Sequence, residues 1–378
     1  MSKNVVDEIE SVVEKLIVAL EGQLANKEYL DLNTDKLMLR YTTDVIMSLL
    51  YKQYNSVDYT AKEDPLSDAI ERGMQSVANL IGVITVSFPY LTPVLSWLAQ
   101  MHPYRKLIDQ IMDFIKQQTA LNLSARHEVG RLKRNGMDSN PDSVALADGR
   151  VFKRNMIDPF IDSFHEGKLS KVEFLHTSVF LYQAGIITMA DVLSRMLFRL
   201  ALNQTIQVKL RDAIMRDGIE SEYLSWCIHE TIRLDPPVPT VCSRLTERDI
   251  QTEDGKIIPK GTYVHTSAYS IHRSPEHWGA DALEFKPERW QLADTFHPTQ
   301  FLGFGLGPRA CPGKALALFE MRKVIEALLV RFKFDRCEMS VDSDQIRAPY
   351  FLFVLRDVPT CVRISKLGSQ RRNDASAD

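Results

Sequence analysis

Apolar residues recur at three- and four-residue spacing over Val5 to Leu24, and again over Asn33 to Tyr51. That period predicts two amphipathic helices near the start of the chain. Asn33 or Thr34 supplies a side-chain oxygen to cap the second. The pattern then changes. Between Gly73 and Tyr104 there is no Lys, Arg, Asp or Glu, and Leu80 to Met101 is rich in apolar residues. Such a length reaches across a bilayer. Pro89 and Pro93, however, each remove a backbone donor and interrupt a continuous helix. Two short apolar helices around a Pro-containing bend fit better. They serve either as core or as a monotopic patch dipping into a membrane interface, with a spanning helix behind both.

Residues from about Ser124 to Lys153 are polar and rich in turn signals (Asn135-Gly136, Asp138-Ser139-Asn140-Pro141, Asp148-Gly149), which predicts a surface loop. The basic residues Arg131, Lys133 and Arg134 fall in it, as in any solvated face. The longest proline-free helical pattern follows, from about Ser170 to Asn203, roughly 50 Å at 1.5 Å per residue. Val179 to Ala190 is apolar nearly all round and predicts burial. Gly185 inside it costs about 1 kcal/mol relative to Ala, so a close neighbour or a local distortion is expected there. Glu222 to Leu234 reads as a helix that stops before Asp235-Pro236-Pro237, with Glu230 and Arg233 paired on one face. Val241 to Ile271 carries strand signals around an Asp254-Gly255 turn. A last helix runs from about Gly313 to Phe332, with Leu318, Met321, Ile325, Leu328 and Phe332 on one face. Two strand-like runs flank Asp357-Val358-Pro359, and Gly368 to Asp378 is a polar tail expected to be disordered. The chain is mainly α with a minor β portion, in a single domain over residues 1–367.

Composition narrows the class without choosing a function. The 378 residues are 45% hydrophobic and 25% charged, as in an ordinary globular protein with ample core. A formal net charge of −3 gives no general case for nucleic-acid binding. The five cysteines (Cys227, Cys242, Cys311, Cys337, Cys361) are widely separated, which excludes a disulfide framework and a zinc ribbon. A reducing compartment suits them. Met1 to Lys15 is charged and helix-like, unlike a signal peptide or a membrane anchor. Ser365-Lys366-Leu367 is internal and so is no peroxisomal address.

The chemistry centres on Phe304-Gly305-Leu306-Gly307-Pro308-Arg309-Ala310-Cys311-Pro312-Gly313. It sets one cysteine at the end of a glycine-rich loop, just before a helix. A thiolate there is favoured by unpaired backbone N–H groups and the positive end of the macrodipole. Gly305, Gly307 and Gly313 permit tight turns and close approach of a flat ligand. Cys311 is thus a candidate metal ligand, against the alternative of a buried structural cysteine.

These ten residues resemble the haem-thiolate signature of the cytochrome P-450 superfamily, aromatic-x-x-Gly-x-Arg-x-Cys-x-Gly. The resemblance implies haem b as cofactor, Cys311 as its axial ligand, Arg309 on a propionate and Phe304 packed beside the sulfur. Arg244 matches a second propionate position. Ala184-Gly185-Ile186-Ile187-Thr188 matches the family's distal Ala-Gly-x-acid-Thr, with Thr188 at the alcohol position and Ile187 where the acid belongs. Glu230 and Arg233, with Arg289 of Phe285-Lys286-Pro287-Glu288-Arg289-Trp290, match the family's buried charge network.

The segment Ile84 to Pro93 is most similar to animal microsomal drug-metabolising members, the group that includes thromboxane synthase. The resemblance also implies a P-450 fold lacking its N-terminal anchor, early strands and haem-binding N-terminal helix. The implied function is a haem-thiolate monooxygenase, with an NADPH-dependent reductase as partner and an apolar or lipid substrate. It would sit peripherally on the cytoplasmic face of the endoplasmic reticulum, through residues 73–104. Two alternatives stand beside it. One is a haem-thiolate isomerase of a lipid peroxide, compatible with Ile187. The other is an inactive short chain.

Overall fold

The structure is a computed structural model that describes residues 3–51, 59, 113, 120, 143–145, 151–153, 156–340 and 360–368. The apolar run 73–104, the strand-like run before Asp357-Val358-Pro359 and the polar tail beyond Gly368 lie outside the described residues, while the run after it forms a strand over Cys361–Lys366. The chain divides into two compact units, Met1–Leu16 with Leu39–Ile187, and Ile17–Met38 with Thr188–Asp378.

The first two predicted helices form as α1 (Lys3–Gln23) and α2 (Thr34–Tyr51). The Asn33 side chain accepts from the Lys36 N–H at 3.0 Å, so Asn33 makes the expected cap. Within the first unit, Ile9, Val12 and Leu16 of α1 and Tyr41, Val45 and Met47 of α2 are buried. Asp44 is buried with them and accepts from the Tyr59 hydroxyl at 3.3 Å. α3 (Asp158–His165) stacks Phe164 on Phe174, the ring centroids 5.4 Å apart.

The long helix is α4 (Lys171–Leu202). Ser170 and Glu173 close a reciprocal capping box at its start, Ser170 N–H to Glu173 at 2.8 Å and Glu173 N–H to the Ser170 hydroxyl at 3.2 Å. Its predicted all-round burial over 179–190 is corrected. Phe180 is 64% exposed, Ala184 is exposed, and complete burial begins only at Val192. A second correction concerns the polar loop, which holds a short antiparallel pair, β2 (Ser143–Ala145) with β3 (Val151–Lys153). The three-residue runs are too short to show a period.

In the second unit, α5 (Gln204–Asp217) leads through a 3-10 turn to α6 (Glu222–Leu234), which ends where the sequence places it. Strands β4 (Thr240–Leu245) and β7 (Tyr263–Ser267) pair antiparallel across a bulge. β5 (Ile250–Gln251) and β6 (Ile257–Ile258) form the hairpin around Gly255, whose φ is +80°. The short helices α7 (Ala268–His272) and α8 (Pro275–Trp278) follow, then a 3-10 segment Pro287–Thr295.

The last helix, α9, spans Lys314–Leu329, shorter than expected. Phe332 is fully buried but opens strand β8 (Phe332–Asp335) rather than ending the helix. A periodic apolar stripe cannot distinguish those two ways of burying one ring. β8 pairs with β9 (Cys361–Lys366), and β9 with β1 (Tyr29–Asn33), in a three-stranded antiparallel sheet. β1 has no period of its own and is fixed by its partners: Arg363 holds Asp31 at 2.7 and 2.9 Å. The Gln207 side chain of α5 pairs with both backbone groups of Phe334, donating to its carbonyl at 2.8 Å and accepting from its N–H at 3.1 Å. Arg211 adds bonds to the carbonyls of Leu329 and Phe332.

Candidate functional site

The cysteine loop is built by backbone hydrogen bonds. The Cys311 N–H donates to the Phe304 carbonyl at 2.8 Å, and the Gly305 N–H to that of Leu302 at 3.0 Å. Gly305 and Gly307 have φ of +66° and +67°, a region that a side chain disfavours. Gly313 has φ −84°, and a Cβ there would meet only the Cys311 Sγ at 3.8 Å. Chain geometry alone does not demand glycine at 313. Its effect is to leave the sulfur's flank bare.

Cys311 is exposed, whereas Cys227, Cys337 and Cys361 are buried. Burial pushes the Cys227 and Cys361 thiols up, away from the thiolate form. Arg309 is exposed and forms no ion pair among the described residues. The Lys314 Nζ lies 5.7 Å from the centroid of the Phe304 ring.

Support for this loop comes from the predicted charge network, and the structure brings its three members together. Arg233 donates to Glu230 twice, at 2.8 and 2.9 Å, with both side chains fully buried. Arg289 donates from Nε to Glu230 at 2.9 Å and from Nη1 to Asp281 at 3.3 Å. Two further donors to the same carboxylate were not foreseen, the Trp290 indole at 3.0 Å and the Lys286 backbone N–H at 2.9 Å. Trp290 stands beside Arg289 in the motif, so its neighbour was the available signal. Arg233 spends its remaining N–H groups on the carbonyls of His272, Ala282 and Glu284, at 2.6, 2.7 and 3.2 Å. A buried ion pair with every lone pair engaged is the arrangement that offsets desolvation.

His272 carries this network into the cysteine loop. Its Nε2 accepts from the Leu302 N–H at 2.7 Å, which leaves the proton on Nδ1 to donate to the Arg233 carbonyl at 3.1 Å. Burial, with the Arg233 charge adding to it, pushes its pKa down to about 4, so the ring is neutral. The ring stacks on Phe301 at 5.2 Å, and Phe301 meets Trp290 edge-on at 4.9 Å. No periodicity marks His272, because its partners are two backbone groups far along the chain.

Ala184, Gly185 and Thr188 follow one another on α4, Ala184 exposed and the other two half-buried. Ala184 and Gly185 fall in the first unit and Thr188 in the second. The close neighbour expected at Gly185 is Ile46: an added Cβ would lie 2.5 Å from its Cδ1. The helix runs through without a break. Arg244 is exposed on β4, opposite Val264.

One buried group escaped the sequence reading altogether. Glu320 of α9 is 1% exposed, and its Oε1 makes no hydrogen bond. Burial alone pushes its pKa up to about 8. It occupies an apolar phase of the helix, between Ala317 and Val324, and that misplaced carboxylate was the signal.

The donor chemistry fits a haem. One accessible thiol stands without a protein ligand set, as no group of three or more His, Cys, Asp or Glu gathers for a metal among the described residues. A porphyrin brings four nitrogens of its own and needs only the axial sulfur. Comparison with known proteins gives the same class. The cytochrome P450 family model matches residues 1–362, and the chain belongs to that family, whose cofactor is haem.

Among curated relatives, cytochrome P450 3A2 of Rattus norvegicus is 29% identical over 79% of this chain and 58% of its own length. Putative cytochrome P450 CYP13A7 of Caenorhabditis elegans is 26% identical over 88% of this chain and 67% of its own. Cytochrome P450 714A2 of Arabidopsis thaliana is 36% identical over 41% of this chain and 31% of its own. The chain thus spans 58% of the length of the rat relative.

Proposed function

We propose that this chain is a haem-thiolate monooxygenase. The observation that carries the reading is the accessible Cys311 thiol at the end of a loop turned by Gly305 and Gly307, with Arg309 beside it uncommitted. Haem held there would supply dioxygen activation: two electrons from a reductase and two protons would place one oxygen atom in an apolar substrate and release the other as water.

The chain's own residues have distinct tasks. Cys311 would supply the thiolate, and Arg309 and Arg244 would pair with the propionates. Phe304 and Gly313 flank the sulfur and admit a flat ring. Thr188 would offer its hydroxyl on the oxygen side and order a proton-delivering water; Ala184 and Gly185 precede it on the same helix, the space beside Gly185 being taken by Ile46. Ile187 cannot pass a proton, so that delivery falls to the Thr188 hydroxyl. Glu230, Arg233 and Arg289 hold the loop in place and take no part in the chemistry. An NADPH-dependent reductase is the electron donor.

Among the described residues no helix is long and apolar enough to cross a membrane. Attachment at the endoplasmic reticulum surface would use the uncharged run 73–104. Liposome flotation checks this: Ile84→Asp with Leu91→Asp should remove the chain from the floating fraction, and equal flotation removes the reading.

The deciding experiment is the carbon monoxide difference spectrum of the reduced, haem-loaded chain. Cys311→Ala should abolish the thiolate-type band, while Cys227→Ala and Cys361→Ala keep it. A thiolate band retained in Cys311→Ala overturns the assignment. Reductant-independent turnover of a lipid peroxide, with no NADPH-driven oxidation, would instead select an isomerase, the reading that Ile187 favours.

A further inference from the structure

Outside the cysteine loop, the second unit carries a groove of about 1120 Å³ between α5 and the start of α6. Its floor is apolar and aromatic. Val208 is 50% exposed there, with Ala213, Tyr223 and Trp226 beside it, and the last two rings meet edge-on at 5.9 Å. Its rim is acidic. Asp212, Asp217, Glu220 and Glu222 line it, all exposed, and none forms a salt bridge among the described residues.

The basic side chains of the lining do not balance them. Lys209 is already engaged, bound to Glu288 at 2.6 Å with its Nζ 4.5 Å from the Tyr223 ring centroid. Tyr223 donates to the same carboxylate at 2.9 Å. That leaves Arg216 against four carboxylates. The negative end of the α5 macrodipole, at Asp217, adds to the field.

We infer that this groove is a binding site for an amphipathic organic cation, an aromatic body carrying a delocalised positive charge. The aromatic floor supplies apolar contact and cation–π attraction, and the rim supplies the countercharge. A metal ion does not suit it, because no three of its carboxylates gather as a ligand set. Spread-out charge calls for a spread-out cation. Lys209 marks the mode of recognition, since a cation of the chain itself already rests on the Tyr223 face. Trp226 is half-buried and packs against Trp278, Ala282 and Trp290, so a ligand would meet the part of its ring that lines the groove.

The test titrates the full chain with tetraphenylphosphonium, and separately with tetraphenylborate, an anion of matching size and apolar surface. Tryptophan fluorescence is followed. Saturable quenching by the cation is expected, at least tenfold tighter than by the anion, and lost in Trp226→Phe. The fourfold variant Asp212→Asn, Asp217→Asn, Glu220→Gln, Glu222→Gln should weaken it at least tenfold. Salt provides a check that needs no variant: near 1 M, where the screening length is about 3 Å, the preference for the cation should collapse. Equal binding of both ions at low salt, or saturable quenching that survives Trp226→Phe, overturns the proposal. So does quenching by a basic amphipathic peptide alone, which would make the groove a protein-docking face.

Discussion

His272 and Glu320 are both buried and titratable, and they pull stability in opposite directions as pH changes. The fold lowers the His272 pKa from 6.5 to about 4. Between those values the unfolded chain binds a proton that the fold refuses, so stability is lost as pH falls. The fold raises the Glu320 pKa from 4.5 to about 8. There the fold keeps a proton that the unfolded chain has released, so stability is lost as pH rises. From pH 4.5 to 6.5 the two slopes cancel. From 6.5 to about 8 only Glu320 acts, for a loss of about 2 kcal/mol at 1.36 kcal/mol per pH unit. Urea denaturation across this range checks it. Glu320→Gln should remove the fall above pH 6.5 and uncover a rise with pH between 4 and 6.5. An unchanged profile would show that Glu320 ionises freely in the fold.

Within α4, Gly185 is held by Ile46 of α2 rather than by backbone geometry. Alanine there gains about 1 kcal/mol of helix propensity but drives a methyl against Cδ1 at 2.5 Å. Overpacking of this kind costs about 1–3 kcal/mol, so Gly185→Ala should be neutral to mildly destabilising. The same change in an Ile46→Val background, which lacks Cδ1 but keeps Cγ1 at 3.0 Å, should be less destabilising than in the parent chain. A double-mutant cycle on thermal unfolding reads the difference, and strict additivity would show that the two side chains do not meet. Helices α1, α2, α4, α6 and α9 were legible in the sequence because each has several turns of periodic apolar residues, whereas α5, 14 residues long, was not read as a helix. Asn33, Ser170 and Asp235 mark real ends. The element β1, and the exchange of helix for strand at Phe332, were not legible. Five residues or fewer carry no measurable period, and their state is set by partner strands outside any local window.

At the scale of the whole molecule, the Glu230 carboxylate ties together α6, the 3-10 segment Pro287–Thr295 and, through Arg233 and His272, the cysteine loop. Removing one partner strands the other in the interior, at about 3–5 kcal/mol. Glu230→Ala and Arg233→Ala should therefore yield insoluble or haem-free chain. Soluble, haem-loaded protein from either would show that the loop is held by other means. The sequence pattern named Glu230, Arg233 and Arg289; Trp290 and Glu320 carried local signals that went unread, and His272 carried none, since its partners are backbone groups far along the chain. The Gln207 amide, for its part, gives Phe334 the two bonds that a further strand would give. β8 is an outer strand of its sheet, and such a strand is a template for another chain to pair with. With Phe334 bound to Gln207, and the Phe332 carbonyl taken by Arg211, that template is occupied from within, and growth by edge-to-edge addition at this strand is closed to a second molecule.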